Sequence, residues 1–181
     1  MARKFLLTRL HSLAGIFAFR SFPQIERLQS IPFLPVLEVL IIALPLIYHA
    51  VFGLYIAFIA QNNAISYSYS RNWMFVLQRM SGVVTLVFVV YHLWAFRFSN
   101  LLFGTPVDYH AVQAHLENPA IFVFYIIGVV ATTFHFSNGL WGALITWGVT
   151  VGPKAQRRSA VFTYGVFAVL SISGIATLFS F

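Results

Sequence analysis

Cysteine is absent from this sequence, and charged residues are scarce. Without cysteine the chain can form no disulfide, no thiolate-ligated iron–sulfur cluster and no covalent C-x-x-C-H cofactor attachment. Charged residues make up only 8% of the chain, and four of them are acidic. These absences exclude disulfide scaffolds and thiolate metal centres, and they leave little polar surface for a water-soluble fold.

Apolar residues dominate the composition. Hydrophobic residues make up 60% of the 181 positions, aromatic residues make up 18%, and the mean hydropathy is +0.84. Such a composition is typical of an integral membrane protein, and the length allows a single domain, residues 1–181, without a separate soluble lobe. The net charge of +7 does not indicate nucleic-acid binding, because the basic residues flank apolar segments, where Lys and Arg set membrane topology.

Four apolar segments are long enough to cross a bilayer as α-helices, which takes roughly 20 residues. They are Phe33–Ala60, Trp73–Phe96, Ile121–Trp147 and Val161–Phe181. The sequence therefore predicts an all-α transmembrane helical bundle. The N-terminal segment differs, because its uninterrupted apolar run, Leu13–Phe19, is too short to cross. A signal peptide is a weaker interpretation of this run, since Arg20 and Pro23 fit a cleavage site poorly.

The distribution of Lys and Arg predicts the orientation if the N-terminal segment crosses the membrane. One side then carries eight basic residues, Arg3, Lys4, Arg9, Arg71, Arg79, Lys154, Arg157 and Arg158, and the other carries three, Arg20, Arg27 and Arg97. The positive-inside rule places the richer side, and with it the N-terminus, in the cytoplasm. If the N-terminal segment does not cross, the count becomes six against five and the rule predicts nothing.

Three histidines, His49, His92 and His135, lie inside the apolar segments. Ionisable groups at membrane depth are costly unless they find a partner. At 1.5 Å per residue, His49 and His135 lie at the same depth, roughly 16 to 18 Å from the inner ends of their helices. Two imidazoles at one level on different helices fit the axial ligands of a non-covalent haem b. Two alternatives are histidines that merely hydrogen-bond to facing backbone and a proton relay, for which only Glu38 lies near enough.

Long motifs surround these histidines. They read LPLIYHAVFG at 44–53, RNWMFVLQR at 71–79, YHLW at 91–94 and FHFSNGLW at 134–141, and the chain opens with RLHSL at 9–13. Together they closely resemble the cytochrome b-558 membrane-anchor subunit of Bacillus-like succinate dehydrogenases, a family related to the anchor of quinol:fumarate reductase. The resemblance covers nearly the whole chain.

The resemblance implies five transmembrane helices and two haems b, each held by two histidines from different helices. The matching positions are His49 and His135 for the haem nearer the cytoplasmic subunits, and His92 for the outer haem. The fourth ligand of that family lies in the first helix. This chain is shorter there, between about Ile16 and Gln24, by roughly twenty residues or one membrane span. Either the chain lacks this segment or the sequence omits it.

The resemblance also implies partners and a role. A flavoprotein oxidises succinate, an iron–sulfur subunit passes the electrons to this anchor, and haem b carries them to a quinone, expected to be menaquinone, at the bacterial cytoplasmic membrane. Chemistry on succinate is not expected here, because the chain has four carboxylates and no nucleotide motif. The alternatives are a fumarate reductase anchor, another quinone-linked cytochrome b, and a haem-free anchor.

Further polar residues are candidates for supporting roles. Arg71 and Arg79 could pair with haem propionates, since Arg donates bidentately to carboxylates. Arg9 and His11 match the family motif and are expected at a propionate or at the iron–sulfur interface. Ser137 and Asn138 follow His135 directly and could hydrogen-bond across helices. His110 and His115, in the outer connector, are not expected to be ligands, because loops of that polarity are usually solvated.

Overall fold

The computed structural model describes Arg27 and residues 30–181, and this part of the chain is helical without any strand. Its five helices are α1 (Leu34–Ile59), α2 (Ser70–Phe103), α3 (Tyr109–Leu116), α4 (Pro119–Thr146) and α5 (Pro153–Leu178). All except the short α3 are long and apolar enough to cross a membrane. The predicted transmembrane bundle and its four predicted spans are therefore confirmed. The short run Leu13–Phe19, the shortened stretch around Ile16–Gln24, Arg9 and His11 lie outside the described residues.

The helices begin and end at residues suited to those positions. The Asn118 side chain accepts a hydrogen bond from Ala120 N (2.9 Å) and so caps α4, whose first residue is Pro119. Asp108 caps α3 in the same way, through Ala111 N at 2.8 Å. α2 ends at Gly104, whose φ of 66° lies in the left-handed region that glycine adopts without strain.

Two π-helical segments interrupt α1 near its start and α2 in its second half, at Glu38–Ala43 and Leu93–Phe98. The first ends two residues before Pro45, which cannot donate the usual backbone hydrogen bond. Glu38 in the first segment forms an ion pair with Arg97 in the second. Glu38 therefore has a basic partner on α2, which argues against the proton relay considered from the sequence.

Helix α4 is the centre of the bundle, since it packs extensively against both α2 and α5, whereas α1 makes a small contact with α2. Gly128 of α4 allows close approach, because a Cβ there would lie 2.2 Å from the Phe88 ring. Between α4 and α5, the hydroxyls of Thr133 and Ser171 lie 2.7 Å apart. At one end of the bundle Arg71, at the start of α2, donates to Gln156, near the start of α5 (3.3 Å).

The opposite end of the bundle is covered by the connector helix α3. Gln113 of α3 donates to the backbone carbonyl of the terminal Phe181 at 2.8 Å. Leu116, at the end of the same helix, is buried against a cluster that includes Tyr125 of α4 and Leu178 of α5. The connector that the sequence suggested to be solvated is therefore partly folded into the bundle.

Candidate haem site

His49 of α1 and His135 of α4 lie next to each other, with the His49 side chain exposed and the His135 side chain half-buried. Their ring centroids lie 6.1 Å apart, and the ring planes are inclined by 74°. Because a bond from a metal ion to an imidazole nitrogen is about 2 Å long, two imidazoles on opposite sides of one iron have centroids roughly 6 Å apart. The observed centroid separation is compatible with that distance, and the contact puts the two rings at one level of the bundle, as the sequence predicted.

The His135 ring is held by the backbone of α2. Its Nδ1 lies 3.0 Å from the carbonyl oxygen of Gln78, which can only accept a hydrogen bond. Nδ1 therefore carries the proton, and Nε2 keeps the lone pair that a metal ligand needs. Metal-binding histidines almost always have such a partner on the second ring nitrogen, which fixes the tautomer and the ring orientation.

Gly82 of α2 lies directly against the His135 ring and leaves room for it. A Cβ at this position would lie 2.8 Å from Cε1 and 3.1 Å from Nδ1 of His135, closer than real Cβ contacts allow. Gly82 lies one turn after Gln78 on α2, so the same helix supplies both the hydrogen-bond acceptor and the gap. A glycine in a helix interior costs up to about 1 kcal/mol relative to alanine, and the packing of this imidazole offers a reason for it.

A cavity of about 430 Å³ extends from the histidine pair between α1 and α2. Its lining is mostly apolar, with His49, His135, Gln78 and Arg79 among the few polar groups. Gly53 on α1 borders the cavity and has no neighbouring atom within 4 Å of a Cβ built on it. An apolar cavity with two imidazoles and one guanidinium suits a flat apolar macrocycle that coordinates through its metal and carries acidic substituents.

Arg79 is the cavity residue suited to bind such an acidic group. One guanidinium nitrogen donates to Asn62 Oδ1 at 2.8 Å, and the guanidinium lies 3.7 Å from the centre of the Phe75 ring. The other two nitrogens, Nε and Nη2, are buried without a hydrogen-bond partner in the described part of the chain. Unpaired buried donors of a cation are costly, so Arg79 fits a carboxylate in the cavity.

Arg71 lies elsewhere, although the sequence made it an equal candidate. It does not line the cavity beside the histidines, and it contacts Gln156 and the Trp141 ring instead.

We therefore expect Arg79→Gln to weaken haem retention about tenfold or more, as loss of a supporting polar contact does. Arg71→Gln is the matched control and should leave haem retention unchanged. Haem transfer to apomyoglobin measures both, and equal rates in the two variants would contradict the assignment.

His92 lies in the second half of α2, away from the histidine pair. Its Nδ1 is 3.4 Å from the Tyr125 hydroxyl, and its ring packs against Phe96 with centroids 5.4 Å apart. In residues 30–181 no second histidine ring stacks on it. The first-helix ligand expected from the resemblance falls in a part of the chain that the structure does not describe.

His115 of α3 lies close to His92, a contact that the sequence did not predict. Its ring packs against Phe96 (5.1 Å) and Tyr125 (5.7 Å), the same two aromatic residues that contact His92. Burial lowers the pKa of His115, which favours the neutral imidazole. No sequence signal could have found this contact, because it depends on how α3 folds back over the end of the bundle. His110, in the same helix, is exposed, as expected.

Asn138 forms the predicted hydrogen bond across helices, whereas Ser137 forms none among the described residues. Asn138 Nδ2 donates across to Gln78 Oε1 on α2 at 2.8 Å, which confirms the interhelical hydrogen bond expected for it. The hydroxyl of Ser137 is buried without a hydrogen-bond partner among the described residues. The histidine site therefore includes two polar neighbours on α2 and α4, Gln78 and Asn138.

Comparison with known proteins identifies the family of this chain. Residues 60–174 match the family described as "Succinate dehydrogenase/Fumarate reductase transmembrane subunit". The chain is 45% identical to the "Succinate dehydrogenase cytochrome b558 subunit" of Bacillus subtilis (strain 168), over 99% of this chain and 98% of that protein. The alignment is 198 residues long although this chain has 181, so it contains gaps in this chain. No solved structure matches significantly. The chain therefore belongs to the family of transmembrane subunits of succinate dehydrogenase and fumarate reductase.

Proposed function

We propose that this chain is the haem b-binding membrane anchor of a succinate dehydrogenase and that His49 and His135 are the two axial ligands of one haem. The observation that carries the proposal is the pair of imidazoles 6.1 Å apart at the edge of an apolar cavity. The name of the Bacillus subtilis relative, a cytochrome b558 subunit, supports haem b as the cofactor.

Bound haem b would supply reversible one-electron transfer within the membrane. The chain would supply the rest of the site. His49 and His135 would hold the metal from α1 and α4, the Gln78 carbonyl would hold the His135 ring, and Arg79 would neutralise a propionate. The apolar lining of the cavity excludes water, which together with the axial ligands sets the redox potential.

His92 is proposed as one ligand of a second haem. Its position at the opposite end of α2 from Arg71 puts it near the outer surface. The second ligand would come from the N-terminal part of the chain, which the structure does not describe. The hydroxyl of Tyr125 next to Nδ1 would hold the His92 ring, as the Gln78 carbonyl holds that of His135.

The proposed partners are a flavoprotein and an iron–sulfur subunit. The basic residues Arg71, Lys154, Arg157 and Arg158 lie at one end of the bundle, since Arg71 contacts Gln156. If the N-terminal segment crosses the membrane, the positive-inside rule places this end, together with the N-terminus, at the cytoplasmic side of a bacterial membrane. The iron–sulfur subunit would dock there, at the end nearer Arg79 and the histidine pair.

The proposed electron path begins with succinate and ends with a quinone. Oxidation of succinate to fumarate in the flavoprotein releases two electrons and two protons. The anchor passes the two electrons to a quinone, expected to be menaquinone, which takes up two protons to become the quinol. A fumarate reductase would run this sequence in reverse, and the name of the relative supports succinate oxidation.

The function is tested by adding succinate to membranes that contain this chain and its two soluble partners, and recording the haem absorption spectrum. We expect succinate to reduce haem b, and malonate, a competitive inhibitor of succinate oxidation, to prevent the reduction. The same membranes with His110→Ala serve as a matched histidine control and should behave like wild type. Absence of a Soret band would instead support a haem-free anchor.

A further inference from the structure

Two side-chain amides, those of Gln78 and Asn138, connect α2 and α4 beside His135. Gln78 Nε2 donates to the backbone carbonyl of His135 at 3.0 Å. Asn138 Nδ2 donates to Gln78 Oε1 at 2.8 Å and lies 3.3 Å from the carbonyl of Met74. The two amides thus bind each other and the backbone of the opposite helix.

The Gln78 side chain has cavity space on two sides and packs closely against α4 on another. Gln78 borders the cavity of the histidine pair on one side and a second, open cavity of about 290 Å³ on the other. Gly139 follows Asn138 directly, and a Cβ there would lie 3.2 Å from Gln78 Nε2. A larger residue at 139 would crowd the Gln78 amide. Glycine at this position of α4 therefore leaves room for the amide from α2.

Gln78 also binds the imidazole of His135 through its backbone. Its carbonyl oxygen accepts the Nδ1 proton at 3.0 Å, and its side chain holds the backbone of His135 at the same distance. The two bonds run in opposite directions between the same two residues. The side-chain bond therefore helps to hold α4 against α2 beside the imidazole, and a change in that spacing would change the length of the bond to Nδ1.

We propose that the amide pair Gln78–Asn138 is a positioning device that tunes His135 as a ligand. The proposal rests on the proposed role of His135 in haem binding. A hydrogen bond from Nδ1 to a carbonyl makes an imidazole a stronger donor to its metal and stabilises the oxidised iron. Loss of either amide would weaken the contact between α2 and α4 and, with it, the hydrogen bond from His135 Nδ1 to the Gln78 carbonyl. The midpoint potential of this haem would therefore rise.

The test uses Gln78→Leu, Asn138→Leu and the double variant in the complete complex. Outer-sphere partners of a metal-bound histidine typically contribute 10- to 100-fold in metal affinity, so each single variant should lose haem 10- to 100-fold faster. The midpoint potential should rise in each. The double variant should be no worse than the more severe single variant, because the two amides act through one hydrogen-bonded unit.

Ser137→Ala is the matched control. Ser137 is buried next to Asn138, and its hydroxyl has no hydrogen-bond partner in the described part of the chain. Removing the hydroxyl should leave the haem potential and the haem loss rate unchanged. If Gln78→Leu fails to accumulate, Asn138→Leu tests the proposal by itself, since it removes the bond that holds the Gln78 amide in place and leaves the Gln78 residue itself unchanged.

Two results separate this proposal from the proposed function. If the amide variants keep the wild-type potential and haem loss rate while His135→Ala lacks the haem, the positioning role is wrong and the ligand assignment stands. If His135→Ala retains this haem, the ligand assignment itself is wrong. A purely structural role for the amides would lower the yield of protein without moving the midpoint potential, and that outcome would also overturn the proposal.

Discussion

Replacing His49 by alanine is expected to remove the haem between α1 and α4 and to leave the helices folded. The His49 ring contacts the His135 ring, and α1 packs only lightly against α2, so few protein contacts depend on the imidazole. Haem at this site should fall from one per chain to nearly none, because five-coordinate haem held only by His135 lacks its bond to α1. Pyridine haemochrome on the purified complex, with protein yield recorded in parallel, measures the loss.

The partner substitution, His135→Ala, should remove the same haem at a higher cost in stability. It breaks the hydrogen bond from Nδ1 to the Gln78 carbonyl, and a typical hydrogen bond contributes about 1 kcal/mol to folding. Both variants should lose the same spectral component, and the double variant should lose nothing more. Loss of different components in the two single variants would mean that His49 and His135 bind different haems.

Gly82→Ala is expected to have the second-largest effect. The new Cβ would lie 2.8 Å from Cε1 of His135, so the ring must move, and it cannot move without lengthening its bond to Gln78 on the same helix. Overpacking typically costs about 1–3 kcal/mol, which exceeds the gain of up to about 1 kcal/mol that Gly→Ala brings in a helix interior. Haem content should fall at least about tenfold, by analogy with loss of outer-sphere support.

Gly165→Ala on α5 is the matched control for Gly82→Ala. A Cβ at Gly165 has no heavy atom within 4 Å, so the substitution brings only the helix-propensity gain. We expect it to keep full haem content and to unfold at the same or a slightly higher temperature. Wild-type haem in Gly82→Ala would show that the His135 ring is not fixed by α2.

Much of the fold could be predicted because the bilayer imposes its own length scale. Each span needs about 20 apolar residues, and the predicted segment Phe33–Ala60 differs from α1 by one residue at each end. Helix α2 extends to Phe103, seven residues past the predicted end, because the π-helical segment continues the helix beyond Arg97. Arg97 lies in this π-helical segment, and its charge is paired with that of Glu38 on α1.

The histidine pair could be predicted from depth alone, whereas the residues that support it could not. His49 and His135 are far apart in sequence, but a fixed rise per residue places both at one level. The roles of Gln78, Gly82 and Asn138 depend on the rotation of α2 against α4, which hydropathy does not encode. For the same reason the sequence could not separate Arg79, which lines the cavity, from Arg71, which does not.

The central claim is that His49 and His135 bind one iron from opposite sides, and carbon monoxide binding tests it most directly. Haem with two axial imidazoles has no free position, so reduced wild-type complex should show no spectral change with carbon monoxide. His49→Gly opens one position, so any haem that remains should bind carbon monoxide, and added imidazole should block it and restore the wild-type spectrum. Carbon monoxide binding in the wild type at this haem, or an unchanged haem in His49→Gly, would contradict the claim.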